Sequence, residues 1–140
     1  MDNTSLFRLI GTISRQATRE VNQQVKKYNL DNNLFLYLLR IIENPGLTQF
    51  ELIQLVQVDK TTMSRSLKKL IDRDYIQKKV NPENKNFKKL FPTDKALTLQ
   101  KNIAGIEKNY IDEKLKGLTN SQKTALSQIL LNIEGSSFAE

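Results

Sequence analysis

Ten basic residues lie within residues 60–89, and they are the side chains in this sequence best suited to bind a charged partner. Only three acidic residues share this segment, so it carries a net charge of +7, whereas the rest of the chain contains twelve residues of each sign. Positive charge concentrated in this way is typical of a surface that neutralises phosphates and releases their counterions. On charge alone, a merely solvated face is the alternative interpretation.

The sequence excludes most kinds of catalytic site. It contains no cysteine and no histidine, and therefore has no disulfide, no thiol nucleophile and no imidazole base or metal ligand. It also has no glycine-rich phosphate loop and no paired acidic motif. We therefore predict no catalytic residues, no metal site and no cofactor, and an enzyme is disfavoured.

The overall composition indicates one folded domain of 140 residues, with 39% hydrophobic and 26% charged residues. No stretch approaches the roughly 20 apolar residues that span a bilayer, and the first residues lack the basic start and apolar run of a secretory signal. We expect a cytoplasmic protein with no membrane partner.

The basic segment begins with a predicted helix over residues 60–73, for which Asp59 is a suitable N-cap. Met63, Leu67, Leu70 and Ile71 form an apolar stripe on it, and the opposite face is polar. A shorter helix, opened by the capping-box pattern of Thr48 and Glu51 and ending near residue 56, precedes it. Two short helices joined by a short turn are typical of a helix-turn-helix, whose second helix enters the major groove of DNA.

The predicted DNA-contacting residues of the second helix are Lys60, Thr61, Thr62, Ser64, Arg65, Lys68 and Lys69. Thr61 and Thr62 lie near the helix N-terminus, where they can reach a phosphate or a thymine methyl group. Arg65 is the candidate for bidentate reading of a guanine, and the two lysines that follow are suited to hold the DNA backbone.

A basic hairpin follows directly. Residues 75–80 and 87–91 are rich in β-branched and aromatic residues and flank a turn over residues 81–86. A hairpin in this position is the wing of a winged helix. At its tip Asn84, Lys85 and Asn86 could enter a minor groove, while Lys88 and Lys89 bind phosphates. The alternative is that these lysines only keep an exposed hairpin edge soluble.

The remaining segments are predicted to be helical. Residues 6–28 form one long amphipathic helix, and Asp31 is expected to cap a buried helix over residues 34–42. A long helix runs from Thr93 to about residue 116, and the capping-box pattern of Thr119 and Gln122 opens the last one. The predicted fold is mainly α with a small β-hairpin wing. Residues 1–140 form one domain, with the winged helix-turn-helix lobe over residues 31–92 and long terminal helices over residues 5–28 and 93–134.

The terminal helices carry longer apolar stripes than one small lobe can cover, which predicts a homodimer. The predicted interface residues are Leu6, Ile10, Ile13, Ile106, Tyr110, Leu126, Ile129, Leu130 and Ile133. Packing of these helices on each other within one chain is the alternative.

Residues 51–76 resemble, without a gap, the helix-turn-helix pattern of the MarR family of bacterial regulators. Residues 81–86, followed by Leu90 and Thr93, are similar to that family's Asp-Pro-x-Asp-Arg-Arg wing leading into Leu-Thr. The resemblance implies a dimer with interlocking first and last two helices, a pseudo-palindromic operator, and often relief of repression by a small aromatic or anionic ligand. A cleft lined by the first, second and fifth helices is the candidate effector site for a phenolic or carboxylate compound, and a regulator without an effector is the alternative. Without cysteine and histidine, the chain cannot work as the thiol-oxidation or histidine-zinc sensors of the family.

The sequence departs from the family pattern at four positions. Gln57 and Asp74 stand where the family usually has glycine, so both are expected at positive φ. Asn84 and Lys85 replace the usual Asp and Arg of the wing, which substitutes a point charge for a planar guanidinium fork.

The main hypothesis is a sequence-specific regulator of transcription that binds double-stranded DNA, in the first instance a repressor. A winged-helix module that binds another protein is the alternative.

Overall fold

The computed structural model describes residues 1–80, 82–84 and 88–135. Within these residues the elements are α1 (Asn3–Val25), α2 (Leu34–Glu43), α3 (Gln49–Val56), α4 (Lys60–Asp72), β1 (Ile76–Val80), β2 (Lys88–Pro92), α5 (Asp94–Leu115) and α6 (Asn120–Glu134). This order confirms the predicted mainly α fold with a β-hairpin wing. No helix in these ranges is long and apolar enough to cross a membrane.

The predicted helix starts at residues 48, 59 and 119 are confirmed, and each has a side-chain cap. The Glu51 amide donates to Thr48 Oγ1 over 3.1 Å, and the Thr48 amide donates to Glu51 Oε1 over 2.9 Å. Thr119 and Gln122 make the same reciprocal pair at the start of α6. Two amides that would otherwise lack a partner are satisfied at each of these two starts, and Asp59 accepts one amide at the start of α4, which fixes where each helix begins.

The prediction that Asp31 caps α2 is wrong. Residues 31–33 form a turn in which Asn32 and Asn33 have φ of 57° and 67°, and α2 begins after Asn33 without a side-chain cap. Asn22 of α1 holds this turn instead. Its Oδ1 accepts the Asn33 amide over 3.0 Å, and its Nδ2 donates to Asn33 Oδ1 over 2.8 Å. The predicted helix over residues 6–28 is α-helical only to Val25 and ends in a 3₁₀ turn, Lys26–Tyr28.

Helix α2 lies at the centre of the core, as its continuous apolar sequence predicted. Seven of its ten residues are buried, among them Phe35, Leu38 and Ile41. Around it pack α3, α4, β2 and α5, and α1 packs on α5 through a core that includes Val21 and Ile103. The helix-turn-helix therefore rests on a rigid, close-packed base.

The wing is an antiparallel hairpin in which Ile76 pairs with Pro92 and Val80 with Lys88. A third segment, not predicted from the sequence, pairs with β2 through an isolated β-bridge. The Gly46 amide donates to the Leu90 carbonyl over 2.8 Å, and the Leu90 amide donates to the Leu47 carbonyl over 2.9 Å. Gly46 has a φ of +92°, a conformation that glycine adopts without strain. These bonds attach the wing to the loop that leads into α3.

Candidate nucleic-acid interface

Helix α4 is anchored by one face. Met63, Leu67 and Leu70 are fully buried, and Ser66 is nearly so. The prediction that Ile71 belongs to this stripe is wrong, because its side chain is 37% exposed. On the helical wheel Ser66 lies nearer than Ile71 to the centre of the stripe defined by the other three, so the small serine faces the core and the isoleucine lies at its margin.

The opposite face of α4 is open to solvent. All seven residues that the sequence predicted to contact DNA are exposed, namely Lys60, Thr61, Thr62, Ser64, Arg65, Lys68 and Lys69. Because the buried face holds the helix on the lobe, these side chains project together from a fixed backbone. The arrangement suits a helix that lays one side into a groove.

Three of these seven side chains already have partners within the chain. Thr62 donates its amide and its hydroxyl to the Asp59 carboxylate, each over 2.8 Å. Lys68 pairs with Asp72 at 2.9 Å. Ser64 accepts a hydrogen bond over 2.9 Å from the side-chain amide of Gln49 at the start of α3, a contact that links the two helices of the motif.

The prediction from sequence missed Gln49, for which the only signal is its place at the start of α3. By contrast, the side chains of Arg65 and Lys69 make no hydrogen bond or ion pair with any residue in the described ranges. Both are available to an external partner.

Asp59 places a negative charge at the N-terminus of α4. Hydrogen bonds from the Thr62 amide, and then from its hydroxyl, lower the pKa of Asp59 below its usual value, so the carboxylate is ionised at neutral pH. A DNA phosphate at this end of the helix would meet a like charge. Thr62 therefore has less capacity to bind phosphate than its position in the sequence suggested, and Thr61 is the freer of the two.

The wing presents a ladder of lysines. Lys79 lies directly opposite Lys89, and Val80 lies opposite Lys88. Since side chains alternate between the faces of a strand, Lys79 and Lys89 share one face, and Lys78 and Lys88 share the other. Burial, and then the charge of Lys88, lower the pKa of Lys78. Like charges placed directly opposite are destabilising, so an anion between Lys79 and Lys89 would relieve their repulsion.

The structure describes only part of the predicted wing contacts. Lys88 and Lys89 are exposed on β2, and Asn84 is exposed before it. Lys85 and Asn86 lie outside the described residues. The prediction omitted Lys78 and Lys79, although the alternation of β1 could have identified them.

Both positions where the family usually has glycine adopt the expected conformation. Gln57 has a φ of 56° and Asp74 a φ of 61°. The Gln57 amide donates to the Ile53 carbonyl over 2.8 Å, which ends α3 and turns the chain toward Asp59. The left-handed residue makes the tight turn between α3 and α4 possible.

The predicted dimer residues fall into two groups. Six of the nine are exposed: Leu6, Ile13, Leu126, Ile129, Leu130 and Ile133. Ile10 is half-buried, whereas Ile106 and Tyr110 pack partly against the core of their own chain. None of the residues of α6 is buried. The alternative to a dimer was that the terminal helices pack within one chain. It applies in part to α5, and it does not apply to α6.

The cavity at the predicted effector position is small. It lies between α1, α2 and α5, with a volume of about 50 Å³, and Val21, Phe35 and Glu107 are among its lining residues. Burial, and then the charge of Glu43, raise the pKa of Glu107. This cavity offers an acidic group to a ligand.

Two helices joined by a tight turn, an anchored second helix with an open polar face and a following basic hairpin define a winged helix-turn-helix protein. Comparison with known proteins narrows the class. Residues 28–85 match the sequence model of the MarR family. The chain is 36% identical over 125 residues to the uncharacterized HTH-type transcriptional regulator YybA of Bacillus subtilis (strain 168), covering 89% of this chain and 83% of the relative.

The chain therefore belongs to the MarR family, and it is a DNA-binding regulator of transcription rather than an enzyme. Two structures from Listeria monocytogenes agree. One, described as a MarR family transcriptional regulator complexed with 26mer DNA, has a TM-score of 0.89 and 36% identity, covering 92% of this chain and 86% of that one. The other, an uncharacterized SlyA-like regulator, has a TM-score of 0.86 and 36% identity, covering 91% and 85%.

Proposed function

We propose that this protein is a transcriptional repressor that binds a pseudo-palindromic operator as a homodimer. The observation that carries the proposal is α4, whose buried face is fixed to the lobe while its seven predicted DNA-contacting residues are exposed beside the lysines of the wing. The relative from Listeria monocytogenes that shares 36% of its sequence was solved with a 26mer DNA. A repressor acts when such a complex covers a promoter.

Each side chain of the interface has a distinct role in this proposal. Arg65 is exposed and uncommitted, and its guanidinium fork matches the O6 and N7 atoms of a guanine. Lys69 and Lys89 bind phosphates as point charges. Lys68 must first exchange Asp72 for a phosphate, which costs little because an exposed ion pair contributes only about 0–1 kcal/mol.

The homodimer explains the apolar surfaces that one chain leaves open. Ile13 of α1 is 57% exposed and Ile129 of α6 is 54% exposed, and stripes of such residues on both helices are rare on monomers. A two-fold axis through these helices would place the two copies of α4 in successive major grooves, roughly 10 base pairs apart.

Release by a small aromatic or anionic ligand is a separate part of the proposal. The cavity between α1, α2 and α5 holds about 50 Å³, whereas sites for drug-sized ligands hold roughly 300 Å³ or more. A ligand can bind there only if the helices move apart. This movement would shift the DNA-binding lobe and so couple ligand binding to DNA affinity. Because Glu107 lines the cavity, a neutral phenol is favoured over a carboxylate. Thermal melts with phenol and with benzoate test this, and a rise in melting temperature with benzoate only would contradict it.

The test of the proposed function is footprinting of DNA upstream of the protein's own operon, combined with sedimentation. We expect a symmetric protected region with two half-sites roughly 10 base pairs apart, bound by a species of twice the chain mass. Ile129→Asp should give a monomer and lose the footprint. Leu97→Asp changes a similarly exposed apolar residue outside the predicted interface and should change neither. Protection no stronger than on random DNA would contradict the proposal.

A further inference from the structure

The three residues between α4 and β1, Arg73 to Tyr75, are fastened to the end of the first helix. The Tyr75 hydroxyl donates to the Tyr28 carbonyl over 2.6 Å. The Arg73 guanidinium donates to the Asn29 carbonyl over 2.5 Å. The Tyr28 carbonyl lies in the 3₁₀ turn that ends α1, and the Asn29 carbonyl belongs to the residue after that turn. The C-terminal end of α4 is thus tied to α1 across a large separation in sequence.

The same three residues are also fastened to the start of α5. The Thr93 hydroxyl donates to the Asp74 carbonyl over 2.7 Å, and the Thr93 amide donates to the Tyr75 carbonyl over 3.0 Å. The Lys95 ammonium donates to the Arg73 carbonyl over 2.8 Å and lies 4.3 Å from the centre of the Tyr75 ring. Residues 73–75 therefore join the lobe to both α1 and α5.

This junction is built to hold one conformation. Tyr75 is buried, and its burial raises its pKa, so its hydroxyl keeps the proton that it donates. Asp74 and Asn29 both have a φ near 60°, in the left-handed region that few non-glycine residues occupy. Such conformations persist where the surrounding bonds determine them.

Small rotations at the junction would be amplified along α4. The helix has 13 residues, so its N-terminal end lies roughly 20 Å from the junction. A rotation of about 10° would move that end by about 3.5 Å, roughly the rise of one base pair. The orientation of α4 relative to α1 and α5 thus decides which half-site separation two copies of α4 can reach.

We infer that Arg73, Tyr75 and Lys95 are positioning residues that set the half-site spacing of the operator without contacting DNA. The inference rests on the proposed function, since only a dimer on a two-fold site has such a spacing. In that dimer the two-fold axis passes through α1 and α6, α5 packs on α1, and the junction transmits the orientation of α1 and α5 to α4.

The experiment compares Tyr75→Phe and Lys95→Met with the native protein. Tyr75→Phe removes only the bond to the Tyr28 carbonyl, and Lys95→Met removes an exposed charge while keeping the stem. Tyr28→Phe is the matched control, because it removes a neighbouring hydroxyl and leaves the main-chain acceptor in place. Affinities are measured on the operator and on versions with one base pair added or removed between the half-sites.

We expect each variant to lower the preference for the native spacing about three- to tenfold, the effect of one lost hydrogen bond. Affinity for random DNA and its salt dependence should stay unchanged, as should all readouts of Tyr28→Phe. A purely structural role would instead weaken binding to every spacing alike, which would overturn the inference. Unchanged discrimination in Lys95→Met and in folded Tyr75→Phe would also overturn it. If native protein shows no spacing preference at all, the proposed function itself fails.

Discussion

The most informative single substitution is Arg65→Ala. The Arg65 side chain is exposed and makes no bond within the described part of the chain, so its loss should change the free energy of unfolding by no more than about 0.5 kcal/mol. If it reads a guanine, the loss of a bidentate contact should weaken operator binding by about 1–3 kcal/mol, or roughly 5- to 150-fold per reading protomer. Arg65→Ala should therefore weaken operator binding while leaving the free energy of unfolding nearly unchanged.

The assay is fluorescence anisotropy on the operator, on operators with each half-site base pair changed in turn, and on random DNA. Native protein should bind more weakly when the guanine that Arg65 reads is replaced by another base. Arg65→Ala should bind the native and the changed operator with equal affinity. Arg65→Lys is the matched control, because it keeps the charge and loses the planar fork. It should bind random DNA as the native protein does but should not restore the discrimination.

Two results would refute this reasoning. Equal weakening on operator and random DNA would mean that Arg65 binds a phosphate rather than a base. Full recovery of discrimination by Arg65→Lys would mean that charge, and not the fork geometry, is what the site uses.

Three further predictions concern the wing, the anchor and the cap of α4. Lys88→Ala should flatten the log–log salt dependence of DNA affinity by about two units, because the dimer loses one phosphate contact in each protomer, measured by anisotropy at several salt concentrations. Leu67→Ala should lower the free energy of unfolding by about 2–5 kcal/mol in urea melts, because Leu67 is fully buried. Ile71→Ala, at the exposed margin, should cost about 1 kcal/mol or less. The pKa of Asp59 is lowered in the folded protein, so its stabilising bonds are complete above its ordinary pKa and are lost as the pH falls through the folded value. Asp59→Asn, which keeps the cap and removes the titration, should show a smaller loss of stability as the pH falls from the ordinary aspartate pKa of 3.8 through the lower folded value.

Each of these has an outcome that contradicts it. An unchanged salt slope would show that Lys88 contacts no phosphate. Equal costs for the Leu67 and Ile71 substitutions would mean that the buried face of α4 is assigned incorrectly. An acid stability profile that is identical in Asp59→Asn would show that this carboxylate does not contribute to the pH dependence.

Local chemistry made most of the fold predictable. The helix starts at residues 48, 59 and 119 follow from side chains that satisfy amides three residues away, and such short-range bonds are legible in a sequence. The turn at Gln57 and the left-handed Asp74 were expected from the family pattern and are confirmed.

The wrong cap at Asp31 and two features that the sequence did not predict have one cause, which is that contacts between distant parts of the chain decide the structure there. Asp31 is a good cap in isolation, but Asn22 fixes the turn at Asn33 from another helix. The isolated β-bridge after Leu47 depends on pairing with β2, far along the chain. The junction at Tyr75 likewise joins residues 47 positions apart in sequence. Non-local bonds of this kind leave no periodic signal in the sequence.

The central claim is that α4 and the lysines of the wing hold a DNA duplex through its phosphates. The most direct test is the affinity for the operator duplex measured between about 50 and 200 mM salt. With Lys68, Lys69, Lys88 and Lys89 each on a phosphate in both protomers, the log–log slope should be roughly −7. A slope near zero, or affinity at the low-salt end no greater than that of a neutral protein of equal size, would contradict the account.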